Sequence, residues 1–156
     1  MRRNSGFTLV EILIVVIILG ILAAIVIPQF TEASSNARLS SLTSDLQTVR
    51  SQIELYKLQH GDRSPDQDIA TGGTVDLFGQ LEAVTDGTGA KVATTVNPHF
   101  GPYLQKSPIN PFVNNSVKVT VANAMPGDGG WWFDTTMGQF KGLGKDPTGG
   151  DIATLY

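Results

Sequence analysis

Cysteine is absent from this chain of 156 residues, which excludes disulfides and thiolate metal sites. Histidine is scarce, since His60 and His99 are the two in the sequence and neither has a neighbouring ligand motif that would favour zinc. We expect a surface or packing role for both. Basic residues are few, 11 against 14 acidic ones, so the chain lacks the charge of a nucleic-acid surface. We therefore expect no nucleic-acid partner.

Motifs for catalysis are also missing. The sequence has no Gly-x-Ser-x-Gly stretch, which is the turn that exposes a nucleophilic serine in many hydrolases. The segment 87–91 (Gly-Thr-Gly-Ala-Lys) is similar to part of a phosphate-binding loop, but its spacing is incomplete and Val92 stands where a hydroxyl would bind magnesium. We predict a turn there. The chain is not expected to be an enzyme.

Charge is absent from 12–27, close to the N-terminus. With the residues before it, the apolar segment 7–27 has 21 residues, and a bilayer core needs about 20 helical residues. Arg2 and Arg3 precede the segment, and the next positive charge is Arg38. The positive-inside rule then places the N-terminus in the cytoplasm and the rest of the chain across the membrane. A buried helix of a soluble protein is the alternative.

Glu11 is the one charged residue at the start of this apolar segment. An ionised group at membrane depth costs about 2.5–3.5 kcal/mol at central positions, so it is expected to have a partner or a function. If the chain were cut before Phe7, the new amine would be four residues from Glu11, on the same face of a helix. The pair would close within one chain or between neighbouring chains. A glutamate that simply lies at the membrane interface is the alternative.

The segment 6–11 (Gly-Phe-Thr-Leu-Val-Glu), placed before the apolar run, resembles the processing site of the type IV pilin and type II secretion pseudopilin superfamily. The resemblance implies that a prepilin peptidase cuts between Gly6 and Phe7 and methylates the Phe7 amine. It implies that Glu11 of one subunit meets the Phe7 amine of its neighbour in a homopolymeric filament. Further partners implied are an inner-membrane assembly platform, minor pilins or pseudopilins, and membrane lipid before assembly.

An amphipathic helix is predicted after the apolar segment. Its apolar side chains recur at alternating spacings of three and four residues, and glycine after His60 predicts the end near Gly61. This stripe consists of Leu39, Leu42, Leu46, Val49, Ile53 and Tyr56. Gly20 and Pro28 are the predicted kink positions, because proline removes a backbone donor. The stripe fits docking on a sheet or a coiled coil equally well.

The remainder of the chain predicts an α+β, pilin-like fold, with the long helix packed on a small antiparallel meander of about three strands. The expected strands are 117–121, 131–133 and 139–143, and 76–84 is expected to hold a short helix. Alternation along the second strand would place one of its two tryptophans in the core and the other outside. The predicted organisation is a cleaved leader at 1–6, a transmembrane and polymerisation helix at 7–27, an amphipathic stem at 28–60 and a globular region at 61–156.

The proline-rich and aromatic segment 101–111 is similar to the segment that precedes the sheet in major pseudopilins, and 130–138 resembles a hairpin of related pilin-like proteins. Many such pseudopilins bind calcium in a C-terminal loop. Here Asp128, Asp134, Asp146 and Asp151 are scattered without a recognisable ligand spacing, so no cofactor is expected and calcium stays open.

The resemblance implies a structural filament subunit, with the type II secretion pseudopilus favoured as its assembly. A type IV pilus subunit for adhesion, motility or DNA uptake is the first alternative. A membrane-anchored binding module that never polymerises is the second. In either filament the subunit would pass through the bacterial inner membrane and then enter a periplasmic pseudopilus or an extracellular pilus.

Overall fold

The computed structural model describes residues 6–67, 76–95, 97–127, 129–145 and 149–155. The helices in this part are α1 (Leu9–Gln59), α2 (Leu77–Leu81) and α3 (Ile152–Leu155). The strands are β1 (Val119–Ala122), β2 (Trp131–Asp134) and β3 (Gln139–Gly142). Contacts divide the chain into two compact units, Met1–Ala37 and Arg38–Tyr156.

Helix α1 has 51 residues and continues without interruption through Gly20 and Pro28. Its end is set by glycine: Gly61 has φ +66°, a left-handed conformation that glycine adopts without steric cost. The Asp62 N–H then turns back to donate to the Lys57 carbonyl at 2.8 Å. The predicted end of the stem is therefore confirmed, whereas a kink at Gly20 or Pro28 stays a prediction.

The sheet is mixed, with the strand order β1-β2-β3. Strands β2 and β3 are antiparallel, with Phe133 opposite Phe140, but β1 runs parallel to β2, with Val119 opposite Trp131. The α+β fold and the three strands are confirmed, and the prediction of a fully antiparallel meander is wrong. Each strand has four residues, about 13 Å, so the loop 123–130 is long enough to return to the starting end of β1.

The stem half of α1 packs on one face of this sheet. Leu42, Leu46, Val49, Ile53 and Tyr56 are buried there, as the alternating spacing predicted. Their partners in the core are aromatic and aliphatic, and the Trp131 and Phe140 rings stack with centroids 5.3 Å apart. Other members of this core are Leu77, Phe78, Leu81, Leu104, Phe133 and Ile152.

The opposite face of the sheet is also covered. Trp132 is buried against Leu143 and Ala153, and its indole N–H donates to the Ala122 carbonyl at 3.1 Å. The Lys141 ammonium lies 5.0 Å from the centre of the Trp132 ring, a cation–π distance. The prediction that one tryptophan lies outside the core is wrong, because Leu143 and Ala153, the latter in α3, pack against Trp132.

The segment 100–112 is an ordered loop that polar contacts hold in place. Asn110 is fully buried, and its side-chain amide donates to the carbonyls of Gly130 and Leu143, while its Oδ1 accepts from the Phe112 N–H at 2.8 Å. The Trp131 indole N–H donates to the Pro108 carbonyl at 3.2 Å. One asparagine thereby connects the loop to the residues before β2 and after β3, which lie side by side at the open end of this hairpin.

The two short helices differ in how well the sequence predicts them. Helix α2 lies inside the predicted segment 76–84, and Asp76 caps it by accepting a hydrogen bond from the Gly79 N–H at 2.9 Å. Helix α3 has four residues and was not predicted, although Ile152 is fully buried in the main core. A single helical turn leaves too little periodicity to be recognised.

The stem stripe gives a test of this packing. Leu46→Ala removes a fully covered side chain and should lower the free energy of unfolding by about 2–5 kcal/mol, because a cavity is left in the core. Denaturant unfolding of the full chain in detergent, followed by the fluorescence of its buried tryptophans, measures this loss. Leu58→Ala, at an 80% exposed position of the same helix, is the control and should change stability by about 0.5 kcal/mol or less. Equal losses in both variants would contradict the assigned packing.

Candidate functional site

The first half of α1 is apolar and uncovered. Large hydrophobic side chains from Phe7 to Phe30 are 41–84% exposed, and the 18-residue window that best fits a membrane has mean hydropathy 3.3 with none of it buried. Within the described residues this is the one helix whose length and composition suit a membrane. Exposure of so continuous an apolar surface to water is unfavourable, so lipid or other protein must cover it.

A reciprocal pair of hydrogen bonds closes the N-terminus of α1. The Thr8 N–H donates to Glu11 Oε2 at 2.8 Å, and the Thr8 hydroxyl donates to the same oxygen at 2.7 Å. In return, the Glu11 N–H donates to Thr8 Oγ1 at 3.3 Å. This Thr-x-x-Glu arrangement is a capping box, in which two backbone N–H groups that would lack helical acceptors are satisfied.

The capping box leaves acceptor positions of the Glu11 carboxylate unused. Both of its hydrogen bonds from Thr8 end on Oε2, and an ionised carboxylate has about four acceptor positions on its two oxygens. A second, cationic donor can therefore bind the same carboxylate while the helix stays capped. Its negative charge at the first turn also complements the positive end of the helix dipole.

The predicted cleavage position lies just outside the helix. Gly6 and Phe7 have no regular secondary structure, and Phe7 is 84% exposed. A methyl group built on Gly6 meets no other atom within 4 Å, so the packing of this chain does not require glycine there. In the uncut chain α1 begins at Leu9, so Phe7 precedes the helix. That Phe7 and Glu11 share a helical face after cleavage stays a prediction.

Of the two predicted kink positions, Gly20 has no close contact that would require glycine there. A Cβ on Gly20 would meet nothing within 4 Å. Pro28 lies inside α1 and lacks a backbone N–H, so the carbonyl one turn earlier loses its usual donor. Nearby, the Thr31 hydroxyl donates to the Ile27 carbonyl at 3.3 Å.

His60 has the predicted packing role. Its ring is buried and stacks on Tyr56 with centroids 3.9 Å apart, and its Nε2 lies 3.0 Å from the Thr85 hydroxyl oxygen. The segment after Thr85 is the predicted turn. Asp86 Oδ1 accepts hydrogen bonds from the Thr88 hydroxyl and N–H and from the Ala90 N–H, and the Thr88 hydroxyl is the main reason that the pKa of Asp86 is lowered.

The aspartates considered for calcium do not come together in the described part of the chain. Asp134 is buried, caps the turn after β2 through the Thr136 and Met137 N–H groups, and lies 3.7 Å from the Lys141 ammonium. The backbone of Asp151 forms an isolated antiparallel β-bridge with Lys145. Asp128 and Asp146 lie outside the described residues. No group of three His, Cys, Asp or Glu side chains with metal-binding geometry occurs among the residues described.

Sequence reasoning missed one functional feature that it had the signal to find. Thr8 and Glu11 have the three-residue spacing of a capping box directly before an apolar helix, a recognised start signal. Asp45 is a different case, since periodicity alone does not show that a charge at a polar position will be half-buried. Desolvation raises the pKa of Asp45, which lines a surface pocket with Val49 and Leu104.

Comparison with protein families agrees with the N-terminal geometry. Residues 1–27 match the family model described as the prokaryotic N-terminal methylation motif. This range contains Gly6, Phe7 and the capping box, together with the apolar run up to Ile27. No solved structure matches the chain significantly.

Curated relatives extend the similarity beyond the motif. The chain is 42% identical over 59 residues to the type II secretion system core protein G of Pseudomonas aeruginosa, a match that covers 38% of this chain and 42% of that protein. The protein of the same name from Vibrio cholerae is 29% identical over 97% of this chain and 92% of its own length. The type IV major fimbrial protein FimA of Dichelobacter nodosus is 39% identical over 87 residues, 56% of this chain and 55% of its own. The chain thus carries the N-terminal methylation motif, and it is similar to core protein G of type II secretion systems and to a type IV major fimbrial protein.

Proposed function

We propose that this protein is a structural subunit of a pilin-like filament, and that the filament is the pseudopilus of a type II secretion system. The observation that carries the proposal is the uncovered apolar half of α1, directly behind a methylation motif. Such a helix is stable in lipid, and it is equally stable when packed against copies of itself. The subunit functions by assembly, and its functional region is the apolar surface of α1 instead of a catalytic site.

Assembly uses the new terminus that cleavage creates. A prepilin peptidase cuts between Gly6 and Phe7, and the methylated Phe7 amine keeps a positive charge. When the helices of neighbouring subunits pack with an axial offset, the Phe7 amine of one approaches Glu11 of the next. The two charges neutralise each other at membrane depth, where either alone would be costly. Glu11 keeps its contact with Thr8 throughout, so the helix end remains capped.

The orientation follows from the charges that flank the apolar segment. Arg2 and Arg3 hold the N-terminus in the cytoplasm, and residues after Ile27 cross to the periplasmic side. The partners in this sequence of events are membrane lipid before assembly, the prepilin peptidase, an inner-membrane assembly platform and minor pseudopilins. The likeness to core protein G over nearly the whole chain favours a type II secretion system.

A type IV pilus is the second candidate, because FimA of Dichelobacter nodosus is similar over 56% of this chain. The same anchor, cut and helix packing would serve that filament. A binding module that is anchored but does not polymerise would also keep the apolar helix, yet it would have no use for a charged pair that needs a neighbour.

Processing gives the first test. In bacteria that express this chain with a prepilin peptidase, mass spectrometry of its N-terminal peptide should show N-methylphenylalanine from Phe7. Gly6→Val is the matched variant: the side chain meets nothing in this protein, so the fold should persist while the peptidase is blocked. A wild-type chain that keeps Met1 in such cells would contradict the proposed processing.

Assembly gives the second test, designed to separate the charge of Glu11 from its capping role. Glu11→Gln keeps a residue that can complete the capping box but removes the negative charge. A hydrogen bond to a charged group contributes about 1.5–3 kcal/mol, so each subunit contact should weaken by about tenfold or more. Filaments sheared from cells and counted by electron microscopy, normalised to cleaved protein, should therefore be rare. Insertion and cleavage should be normal.

Thr8→Ala is the complementary control. It removes the cap, at a cost of about 1 kcal/mol to the helix end, and leaves the Glu11 charge in place. We expect filaments in larger number than for Glu11→Gln. If Thr8→Ala abolishes filaments while Glu11→Gln assembles normally, Glu11 acts as a cap and the proposed charge pair is wrong.

A further inference from the structure

Two charged side chains on the stem half of α1, Asp45 and Arg50, have no ion-pair partner in the described part of the chain. Both are half-buried. Successive helical positions turn by about 100°, so the five positions from Asp45 to Arg50 place these side chains about 140° apart. The buried stripe from Leu42 to Tyr56 lies between them and faces the sheet. The stem therefore presents an unpaired anion on one flank and an unpaired cation on the other.

Asp45 borders a surface groove of about 360 Å³ between the stem and the loop 104–109. None of the described residues donates a hydrogen bond to its carboxylate, and both oxygens remain accessible to solvent. Partial desolvation raises the pKa of Asp45, and no nearby cation opposes this effect. Lys106 lines the same groove without pairing with Asp45. An incoming cation can therefore reach a carboxylate that has lost part of its water shell.

Arg50 borders a groove of about 300 Å³ on the other flank, between the stem and the edge strand β3. Its Nε–H donates to the Phe140 carbonyl at 2.9 Å, which holds the guanidinium beside the strand. Of the five N–H donors of a guanidinium, the other four have no acceptor among the residues described. Desolvation lowers the pKa of Arg50. Glu54 lines this groove as well, but its carboxylate pairs with the Lys57 ammonium at 2.8 Å.

The two flanks are chemically complementary. The terminal N–H groups of Arg50 can bind both oxygens of one carboxylate, the bidentate geometry that makes arginine–carboxylate pairs strong. Asp45 offers such a carboxylate, but the buried stripe keeps the two side chains apart within one copy. Complementary patches on different faces of one subunit form a heterologous contact, which extends into an open filament instead of closing as a two-fold dimer. A second copy of this chain is thus the partner that fits both grooves.

We propose that Asp45 of one subunit binds the Arg50 guanidinium of the next subunit along the filament. The inference rests on the proposed function, and it adds a contact of the stem to those of the membrane segment. Each such contact satisfies two half-buried charges at once, and its repetition links every stem to two neighbours. The incoming copy also covers Ile109, which is 42% exposed and lines the Asp45 groove.

The spacing of the two charges agrees with the contact proposed at the N-terminus. There, the Phe7 amine of one copy meets Glu11 of the next, a step of four positions, and Asp45 to Arg50 is a step of five positions in the same direction. At a rise of about 1.5 Å per helical residue, the two steps differ by about 1.5 Å, which the long arginine side chain can accommodate. One symmetry operation relates all residues of neighbouring copies, so both contacts can form in the same filament.

The first test exchanges the two charges in bacteria that assemble this chain. Asp45→Lys and Arg50→Glu should each reduce the number of sheared filaments, normalised to cleaved protein, by about tenfold or more, because each places like charges at the contact. The double variant Asp45→Lys/Arg50→Glu restores opposite charges and should recover filament numbers to within about threefold of the wild type. Ser44→Lys is the matched control: it adds a positive charge at the neighbouring exposed position and should assemble like the wild type.

The outcomes separate this contact from the proposed function. Asp45→Lys breaks no hydrogen bond or ion pair within the described chain, so its result holds even if Arg50→Glu, which loses the bond to Phe140, is less stable. The contact is wrong, and the filament stands, if Asp45→Lys forms as many filaments as Ser44→Lys. A wild type that forms no filaments overturns the proposed function and this contact with it.

The second test measures proximity, since the natural chain has no cysteine. Copies carrying Asp45→Cys and copies carrying Arg50→Cys are expressed together, and their filaments are treated with a short thiol-reactive crosslinker. Denaturing gels should show crosslinked dimers for the mixture and monomers for either variant alone, because only the mixture brings the two positions of different copies together. Ser44→Cys mixed with Arg50→Cys is the control and should stay monomeric. Filaments of the Asp45→Cys and Arg50→Cys mixture that yield no more dimer than this control would overturn the contact.

Discussion

The need to cover the apolar half of α1 is the constraint on which the rest of this molecule depends. Its large side chains are half exposed or more along most of five turns, and none of the membrane-length window is buried by the chain itself. The apolar surface is therefore stable in a bilayer or against similar helices, and both environments exclude water. The proposed insertion and polymerisation both meet this one requirement, because each leaves the same surface covered.

The second half of the same helix is covered by the chain itself. Its narrow stripe from Leu42 to Tyr56 is buried by aromatic and aliphatic side chains of the core, so this stripe needs no partner outside the chain. One continuous helix therefore has a second half whose apolar side chains are buried within the chain, and a first half whose apolar side chains need lipid or other protein to cover them. The second face of the small sheet is also buried, because Trp132 on that face packs against Leu143 and against Ala153 of α3.

The sequence predicts those features that repeat or that use distinctive residues. Alternating spacings of three and four revealed the stem stripe, glycine after His60 revealed its end, and the uncharged run revealed the exposed segment. The parallel pairing of β1 with β2 was not predictable, because an eight-residue, glycine-rich loop permits either direction between such short strands. The burial of Trp132 depends on α3, a single turn from a distant part of the chain.

The functional features also divide into those that local sequence spacing predicts and those that only the folded chain shows. The motif at Gly6 and Phe7 is local and can be read from spacing, and the Thr8–Glu11 box could have been read likewise. Asn110 could not have been, since its three hydrogen bonds join residues up to 33 positions apart. The same is true of Asp45 and Arg50: only the folded chain shows that both are half-buried and that no described residue forms an ion pair with them.

The central claim concerns one contact between two copies of this protein. Electron cryomicroscopy of the assembled filament measures it directly, as the distance from the Phe7 nitrogen of one subunit to the Glu11 carboxylate of the next. The account predicts a separation of about 2.7–2.9 Å, the length of a charge-assisted hydrogen bond, within a core built from segment 7–27. A filament in which these groups lie more than about twice that distance apart, or in which the apolar segments do not contact each other, would contradict it.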